Sequence, residues 1–155
     1  MDNIKFNHTT PIQLRFNDFD ALGHVNNSVY FSFYDLGKTS YFDEVVPGAT
    51  SSKEVGVVIA NIQVSFLLSV YPGENVAVET AVVEIGNKSF KLLQQLIDVD
   101  TNEVKCICQT VMVCFDAKLR ALILFQTNGE KLWLTLRVIR NWVRCTIRIN
   151  KAIVN

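Results

Sequence analysis

The chain has 155 residues, of which 49% are hydrophobic and 19% are charged, and its 15 basic residues balance 15 acidic ones. These values are typical of one globular domain and exclude a disordered chain. No apolar run approaches the roughly 20 residues that cross a bilayer, and the N-terminus lacks the pattern of a signal peptide. We therefore expect a cytoplasmic protein.

The charges are distributed unevenly along the chain. Residues 1–118 hold 8 Lys and Arg against 14 Asp and Glu, a net charge of −6, whereas residues 119–155 hold 7 against 1, a net charge of +6. Five of the six arginines and both tryptophans lie in the second segment. We predict a folded domain over residues 1–118 and an atypical basic, apolar C-terminal extension over residues 119–155.

The first predicted element is a half-buried strand over residues 10–16. Apolar Ile12, Leu14 and Phe16 alternate there with polar residues, which is the period of a strand with one buried face. His8 precedes this segment and belongs to no motif, so we expect it to be exposed.

A helix is predicted from about residue 27 to residue 46. Apolar and aromatic residues cover nearly its whole circumference, which indicates a helix that the rest of the domain wraps. Asn26 and Asn27 are both suitable N-caps. Pro47 and Gly48 end the pattern.

Four strands are predicted after the helix, because the remaining segments are rich in β-branched residues and are separated by short turn sequences. Consecutive strands with short connections favour an antiparallel sheet, and one apolar helix is about enough to cover one of its faces. The pattern alone therefore predicts an α+β sheet around a helix. The four predicted strands lie at residues 54–68, 76–85, 88–99 and 104–115.

The four cysteines do not form a metal or disulfide motif. Cys106, Cys108 and Cys114 fall on one face of a single predicted strand, where cysteines two residues apart are poorly placed to bridge, and Cys145 lies in the extension. We interpret them as reduced, packed thiols and expect no metal site.

An acidic turn joins the first strand to the helix. Residues 18–30 read D-F-D-A-L-G-H-V-N-N-S-V-Y, so two carboxylates lie just before a helix start. A helix start offers unpaired N–H groups and a positive dipole end, which can hold a developing oxyanion while a carboxylate attacks or activates water. The chemistry indicated is hydrolysis of an activated acyl group.

This turn also carries a family resemblance. The segment R-F-N-D-F-D-A-L-G-H-V-N-N-S-V-Y-F-S-F-Y-D, residues 15–35, resembles the signature of acyl-CoA thioesterases of the hotdog fold, the 4-hydroxybenzoyl-CoA thioesterase-like group. The segments V-S-F-L-L-S-V-Y-P-G-E-N-V, G-N-K-S-F and V-M-V-C-F-D resemble later parts of that family in the same order. The resemblance covers roughly residues 10–118. It implies a five-stranded antiparallel sheet wrapped around one long central helix, in homodimers or homotetramers with active sites at subunit interfaces.

The resemblance implies specific roles for residues of the turn. Asp20 corresponds to the catalytic carboxylate, as a nucleophile or a general base, and the Asn27 N–H corresponds to the donor that polarises the thioester carbonyl. From the residues alone, Asp18 and Asp20 could equally be turn formers, and Asn26 and Asn27 plain caps. Asp35 on the helix is an alternative carboxylate, or it pairs with Lys38.

Further residues are candidates for contact with the substrate. Gly23 permits a positive φ or a close backbone approach, and His24 either orients the turn or touches the substrate. Tyr30 is either core or a wall of the acyl pocket. The predicted substrate-binding residues are Gly23, His24, Asn26, Tyr30 and Ser89.

The predicted activity is hydrolysis of an acyl-CoA to a free carboxylic acid and coenzyme A, with no metal and no organic cofactor beyond that coenzyme A moiety. Two alternatives stay open. One is a non-catalytic module that binds acyl-CoA or acyl-carrier protein, and the other is an enoyl-CoA hydratase, although the turn does not reproduce a hydratase Asp–His motif.

The extension departs from the family pattern. As a helix it would be basic and amphipathic, with Arg137, Arg140, Arg144 and Arg148 on one face. As strands, Cys145, Ile147 and Ile149 alternate with polar residues. A third interpretation is that this segment is not a functional module at all, for example the product of an altered reading frame.

Overall fold

A computed structural model describes residues 4–45, 55–86, 89–116 and 121–122. Most of the predicted extension lies outside these ranges, as do Pro47, Gly48 and Cys145. No helix among the described residues is long and apolar enough to cross a bilayer. The elements in chain order are β1 (His8–Ile12), a 3₁₀ turn (Phe16–Asp18), α1 (Val29–Val45), β2 (Val55–Phe66), β3 (Val76–Ile85), β4 (Ser89–Asp98), β5 (Val104–Asp116) and the two-residue β6 (Ala121–Leu122).

The five long strands form one antiparallel sheet in the order β1-β3-β4-β5-β2, and β6 pairs with the end of β5. Helix α1 packs on one face of this sheet, with contacts to β1 and β3. This architecture confirms the predicted α+β hotdog fold. The bounds of β3 are those predicted, and those of β4 and β5 differ from the prediction by one residue at most at each end.

The core between helix and sheet has two apolar clusters, one at each end of α1. A buried polar contact lies between them. The Gln94 side chain on β4 donates from Nε2 to the main-chain carbonyl of Tyr34 at 3.0 Å and to the Thr80 hydroxyl at 3.1 Å. Because Gln94 is buried, these bonds satisfy an amide that would otherwise be costly to bury. They also attach the middle of α1 to the sheet.

The predicted first strand is present, but the prediction of its bounds is wrong. The observed strand ends at Ile12, and the chain then turns at Phe16–Asp18, where the Arg15 carbonyl accepts a hydrogen bond from the Asp18 N–H at 2.9 Å. This turn leaves the Phe16 side chain 94% exposed. The alternation of apolar residues thus continues past the end of the strand.

The prediction for His8 is also wrong, because His8 is buried. Its Nδ1 lies 2.6 Å from Glu44 Oε2 near the end of α1, and its Nε2 lies 3.0 Å from the Thr10 hydroxyl. Its ring packs edge-on against Tyr41 at a centroid distance of 5.6 Å. His8 therefore links β1 to the last turns of the helix.

Burial of α1 is less complete than predicted. One side of the helix faces the sheet, but Phe31 and Leu36 on the other side are exposed in the single chain. Apolar residues do lie on nearly every side of the helix, but the described residues of one chain bury only the side that faces the sheet.

Strand β2 lies at one edge of the sheet and has no charged residue in its 12 positions. Its register with β5 places Ile59, Ile62 and Phe66 opposite Met112, Thr110 and Cys106, which are buried residues. These three β2 side chains share the helix-facing side of the sheet, yet each is more than one-third exposed. We call Ile59, Ile62 and Phe66 the β2 apolar row.

The cysteines of β5 behave as predicted. Cys106, Cys108 and Cys114 are free and buried on the core face of the strand. Burial raises the pKa of both the Cys106 and Cys114 thiols to about 11, and it also raises the pKa of Cys108. They are therefore neutral packing groups at ordinary pH.

Candidate active site

The acidic turn is a small β-hairpin, which we call the acid hairpin (residues 18–26). The Asn26 N–H donates to the Asp18 carbonyl at 2.9 Å, Phe19 pairs with Val25, and the Asp20 N–H donates to the His24 carbonyl at 3.0 Å. The tip is closed by the Gly23 N–H, which donates to the Asp20 carbonyl at 3.0 Å. A three-residue loop of this kind places its last residue at positive φ.

Gly23 occupies that position with φ +78°. This value is readily adopted by glycine and is strained for most other residues. A role of Gly23 in shaping the loop is therefore observed directly. The adjacent Leu22 side chain is 79% exposed at the tip.

Asp18 is a structural residue of the hairpin. Its carboxylate accepts a hydrogen bond from the Arg15 N–H at 2.7 Å and from Arg15 Nη2 at 2.9 Å, and only 2% of the residue is exposed. Both oxygens are occupied by Arg15. The contact with Asp18 raises the pKa of Arg15. The interpretation of Asp18 as a turn former is confirmed.

Asp20 is in a different environment. Its Oδ1 accepts a hydrogen bond from the Leu22 N–H at 2.8 Å, and a quarter of its side chain is exposed. Its Oδ2 makes no hydrogen bond to any described residue and lies 3.7 Å from His24 Nδ1. Asp20 therefore combines a fixed carboxylate with one oxygen that is available to another group.

His24 lies on the second strand of the acid hairpin, directly across from Asp20. Its Nδ1 is 3.2 Å from the Val25 carbonyl, and its side chain, like that of Asp20, is one-quarter exposed. The structure therefore brings together Asp20, Gly23 and His24, as the sequence predicted for neighbours in one turn.

The start of α1 follows directly after the hairpin. The Asn26 side chain accepts hydrogen bonds from the Ser28 N–H at 2.9 Å and the Ser28 hydroxyl at 2.7 Å, and its carbonyl accepts from the Val29 N–H at 2.9 Å. Asn26 therefore acts as the capping residue. The Asn27 N–H has no acceptor within the part of the chain that the structure describes. It is an unpaired donor at a helix start, beside a hairpin that holds a carboxylate.

Tyr30 in the first turn of α1 is buried in the core and packs edge-on against Phe66 at a centroid distance of 5.2 Å. Burial raises the pKa of Tyr30 to about 12, so the phenol is neutral. Phe66 is nearly half exposed, and the exposed Leu67 and Leu68 follow it. The sequence analysis did not name Phe66, Leu67 or Leu68 as candidate site residues. The sequence signal for them is an apolar run that continues past the end of β2.

Ser89 is not near the acid hairpin within one chain. It is the first residue of β4, where its carbonyl accepts from the Gly86 N–H at 2.7 Å. The hairpin contacts the sheet through Val25, which bonds Val70 and belongs to the same apolar cluster as Val76. Val76 pairs with Asp98, the last residue of β4, whereas Ser89 is the first. A ten-residue strand spans roughly 30 Å.

The helix carboxylate Asp35 forms an ion pair with Lys38, one turn away. This is the pairing that the sequence allowed, and it leaves the Asp35 side chain largely exposed. Among residues 4–45, 55–86, 89–116 and 121–122, no three His, Cys, Asp or Glu side chains are grouped so as to hold a metal ion.

Comparisons with known proteins find similarity both in sequence and in structure. The chain is 26% identical over 87 residues to the uncharacterized protein YsmA of Bacillus subtilis, a match that covers 56% of this chain. This chain spans about 58% of the length of that curated relative.

Solved structures that are similar over most of the chain include two thioesterases. A DHNA-CoA thioesterase from Staphylococcus aureus matches with a TM-score of 0.72 at 14% identity, over 86% of this chain and 93% of that one. A thioesterase from Thermus thermophilus, complexed with coenzyme A and Zn, matches with a TM-score of 0.69 at 25% identity, over 86% and 99% of the two chains.

The model of the thioesterase-like superfamily matches residues 14–143, which include the acid hairpin, α1 and strands β2 to β5. The matched range also runs into the predicted extension. Because it covers most of the sequence, the chain belongs to the thioesterase-like superfamily.

Proposed function

We propose that the protein is an acyl-CoA thioesterase, which hydrolyses an acyl-CoA to a free carboxylic acid and coenzyme A. The observation that carries this proposal is the environment of Asp20, whose Oδ1 is held by the Leu22 N–H while its Oδ2 accepts no hydrogen bond from the described residues. Membership of the thioesterase-like superfamily supports the same reaction class.

In the proposed reaction, Asp20 supplies the carboxylate and the Asn27 N–H stabilises the oxyanion. Asp20 either attacks the thioester carbonyl, forming a mixed anhydride that water then hydrolyses, or accepts a proton from the attacking water. In both routes the carbonyl carbon becomes tetrahedral and its oxygen becomes negative. A preorganised main-chain donor is suited to that charge, because it needs no reorientation during the reaction. The coenzyme A thiolate then leaves.

The environment of Asp20 distinguishes it from the other carboxylates near the helix. Asp18 is fully engaged by Arg15, and Asp35 is paired with Lys38. Asp20 combines partial exposure with a fixed backbone position, the properties that a reacting carboxylate needs. Gly23 shapes the loop, Asn26 caps the helix and Tyr30 supports Phe66. We place the acyl group of the substrate beside Phe66.

We further propose that the protein is a homo-oligomer that pairs through β2. Among the described residues β2 is an uncharged edge strand of 12 residues, whose outer main-chain groups have no partner there, and the β2 apolar row is exposed. A second copy would cover both features. Because Ser89 lies far from Asp20 in its own chain, contact between Ser89 and substrate requires the Ser89 of another subunit. We place the protein in the cytoplasm.

The test is release of free thiol from a panel of short, long and aromatic acyl-CoAs, measured with the purified full chain. We expect steady-state thiol release from at least one member of the panel. Binding without thiol release would contradict hydrolysis and favour a binding module. Hydration of an enoyl-CoA without thiol release would favour a hydratase.

A further inference from the structure

His24 is held to the rigid part of the acid hairpin by a hydrogen bond from its ring. Its Nδ1 lies 3.2 Å from the Val25 carbonyl, and a carbonyl can only accept, so Nδ1 carries the hydrogen. This contact fixes the neutral imidazole as the Nδ1–H tautomer. Val25 is itself firmly placed, because it is buried, pairs with Phe19 and donates to the Val70 carbonyl at 2.9 Å.

Asp20, in contrast, is held at the exposed tip. The hydrogen bond from the Leu22 N–H to Oδ1 comes from the loop itself, and Leu22 is exposed. Asp20 Oδ2 lies 3.7 Å from His24 Nδ1. The same Nδ1 therefore lies 3.2 Å from an anchored carbonyl and 3.7 Å from the open carboxylate oxygen.

We propose that His24 is a positioning residue, which acts through Nδ1 to keep the carboxylate of Asp20 in its reactive orientation. This inference rests on the proposed function and replaces a direct contact of His24 with substrate. Because Val25 holds the His24 ring in place, the Nδ1–H group also has a fixed position. The positive end of this N–H bond favours the observed placement of Asp20 Oδ2. Without it, the carboxylate is held only by the Leu22 N–H of its own loop tip, and misplacement of a reacting group by about 1 Å can cost about 10²-fold in rate.

Three substitutions separate the two ring nitrogens. In His24→Asn the amide nitrogen occupies nearly the position of Nδ1, whereas in His24→Gln it reaches the position of Nε2, and His24→Leu provides neither donor. We expect kcat for thiol release to stay within about 3-fold of wild type in His24→Asn and to fall about 30- to 100-fold in the other two variants. KM should change less than about 3-fold in all three, because His24 does not bind substrate.

The opposite pattern would overturn the proposal. Retention of kcat in His24→Gln with its loss in His24→Asn would assign the role to Nε2, and a raised KM with unchanged kcat would assign His24 to substrate binding. Thermal melting of each variant serves as the control for folding.

A second measurement does not depend on turnover. The ¹⁵N NMR spectrum of neutral His24 in the wild-type protein should show the Nδ1–H tautomer, and the Nε2–H tautomer would overturn the anchored geometry. If that spectrum shows Nδ1–H but no acyl-CoA is hydrolysed, the proposed function is wrong, and so is the role of His24 in catalysis. The contact between His24 and the Val25 carbonyl would still be confirmed. The two failures are therefore distinguishable.

Discussion

Gly37 of α1 lies so close to Val78 of β3 that no side chain fits between them. A Cβ placed on Gly37 would lie 2.5 Å from Val78 Cγ1 and 3.0 Å from Val78 Cβ. The same Cβ would lie 3.3 Å from the Gln94 amide nitrogen, which bonds the Tyr34 carbonyl. Helix and sheet are therefore in close contact where the buried polar group joins them.

We expect Gly37→Ala to destabilise the protein despite the higher helix propensity of alanine. The added methyl group must displace Val78 or lift the helix, which costs about 1–3 kcal/mol in free energy of unfolding, against a propensity gain of about 1 kcal/mol. Urea denaturation measures the difference. Ser32→Ala, at an exposed position of the same helix, is the control. Equal stability of the Gly37→Ala variant and wild type would contradict the close packing.

The buried thiols predict a loss of stability at alkaline pH. Burial raises the pKa of Cys114 from 9.0 to about 11, so the unfolded chain loses this proton at lower pH than the folded chain does. The stabilisation is complete below about pH 8 and falls as the pH rises from 9 to 11, by about 1–3 kcal/mol for one thiol. The free energy of unfolding measured across this range should decline less steeply in Cys114→Ala than in wild type. Equal slopes would show that Cys114 does not titrate differently in the two states.

Pairing through β2 predicts that a charge in the β2 apolar row weakens the oligomer. Ile62→Lys places an ammonium group on the surface that we expect to be covered, and burial of an unpaired charge is costly. We expect the association constant from sedimentation equilibrium to fall at least about 100-fold. Gln13→Lys, at an exposed position outside the strands, is the control. An unchanged association constant in Ile62→Lys would place the interface elsewhere.

Local sequence patterns were sufficient to predict the central strands. The residues of β3 to β5 are bounded by turn sequences, and each of these strands pairs with a neighbour that follows or precedes it closely. The end of the first strand was predicted wrongly because the alternation continues through Phe16, whereas the turn there depends on bonds between Arg15 and Asp18. The prediction that His8 is exposed failed because its partner Glu44 is 36 residues away in the sequence.

The candidate site was predictable in its residue types but not in its division of roles. Asp18 and Asp20 are chemically identical and two residues apart, and only the Arg15 contacts distinguish a buried structural carboxylate from an available one. The hairpin pairing of Phe19 with Val25 is likewise invisible to a periodicity argument over such short segments. The location of Ser89 depends on sheet topology, which a local motif does not contain.

The most direct test of the account is the rate of thiol release by Asp20→Asn, measured beside Asp35→Asn on the best acyl-CoA of the panel. We predict that Asp20→Asn lowers kcat/KM by about 10²-fold or more, with an unchanged circular dichroism spectrum, because the amide can neither attack nor accept a proton. Asp35→Asn should keep nearly full activity. Full activity in Asp20→Asn, or its loss in Asp35→Asn alone, would contradict the assignment of Asp20 as the catalytic carboxylate.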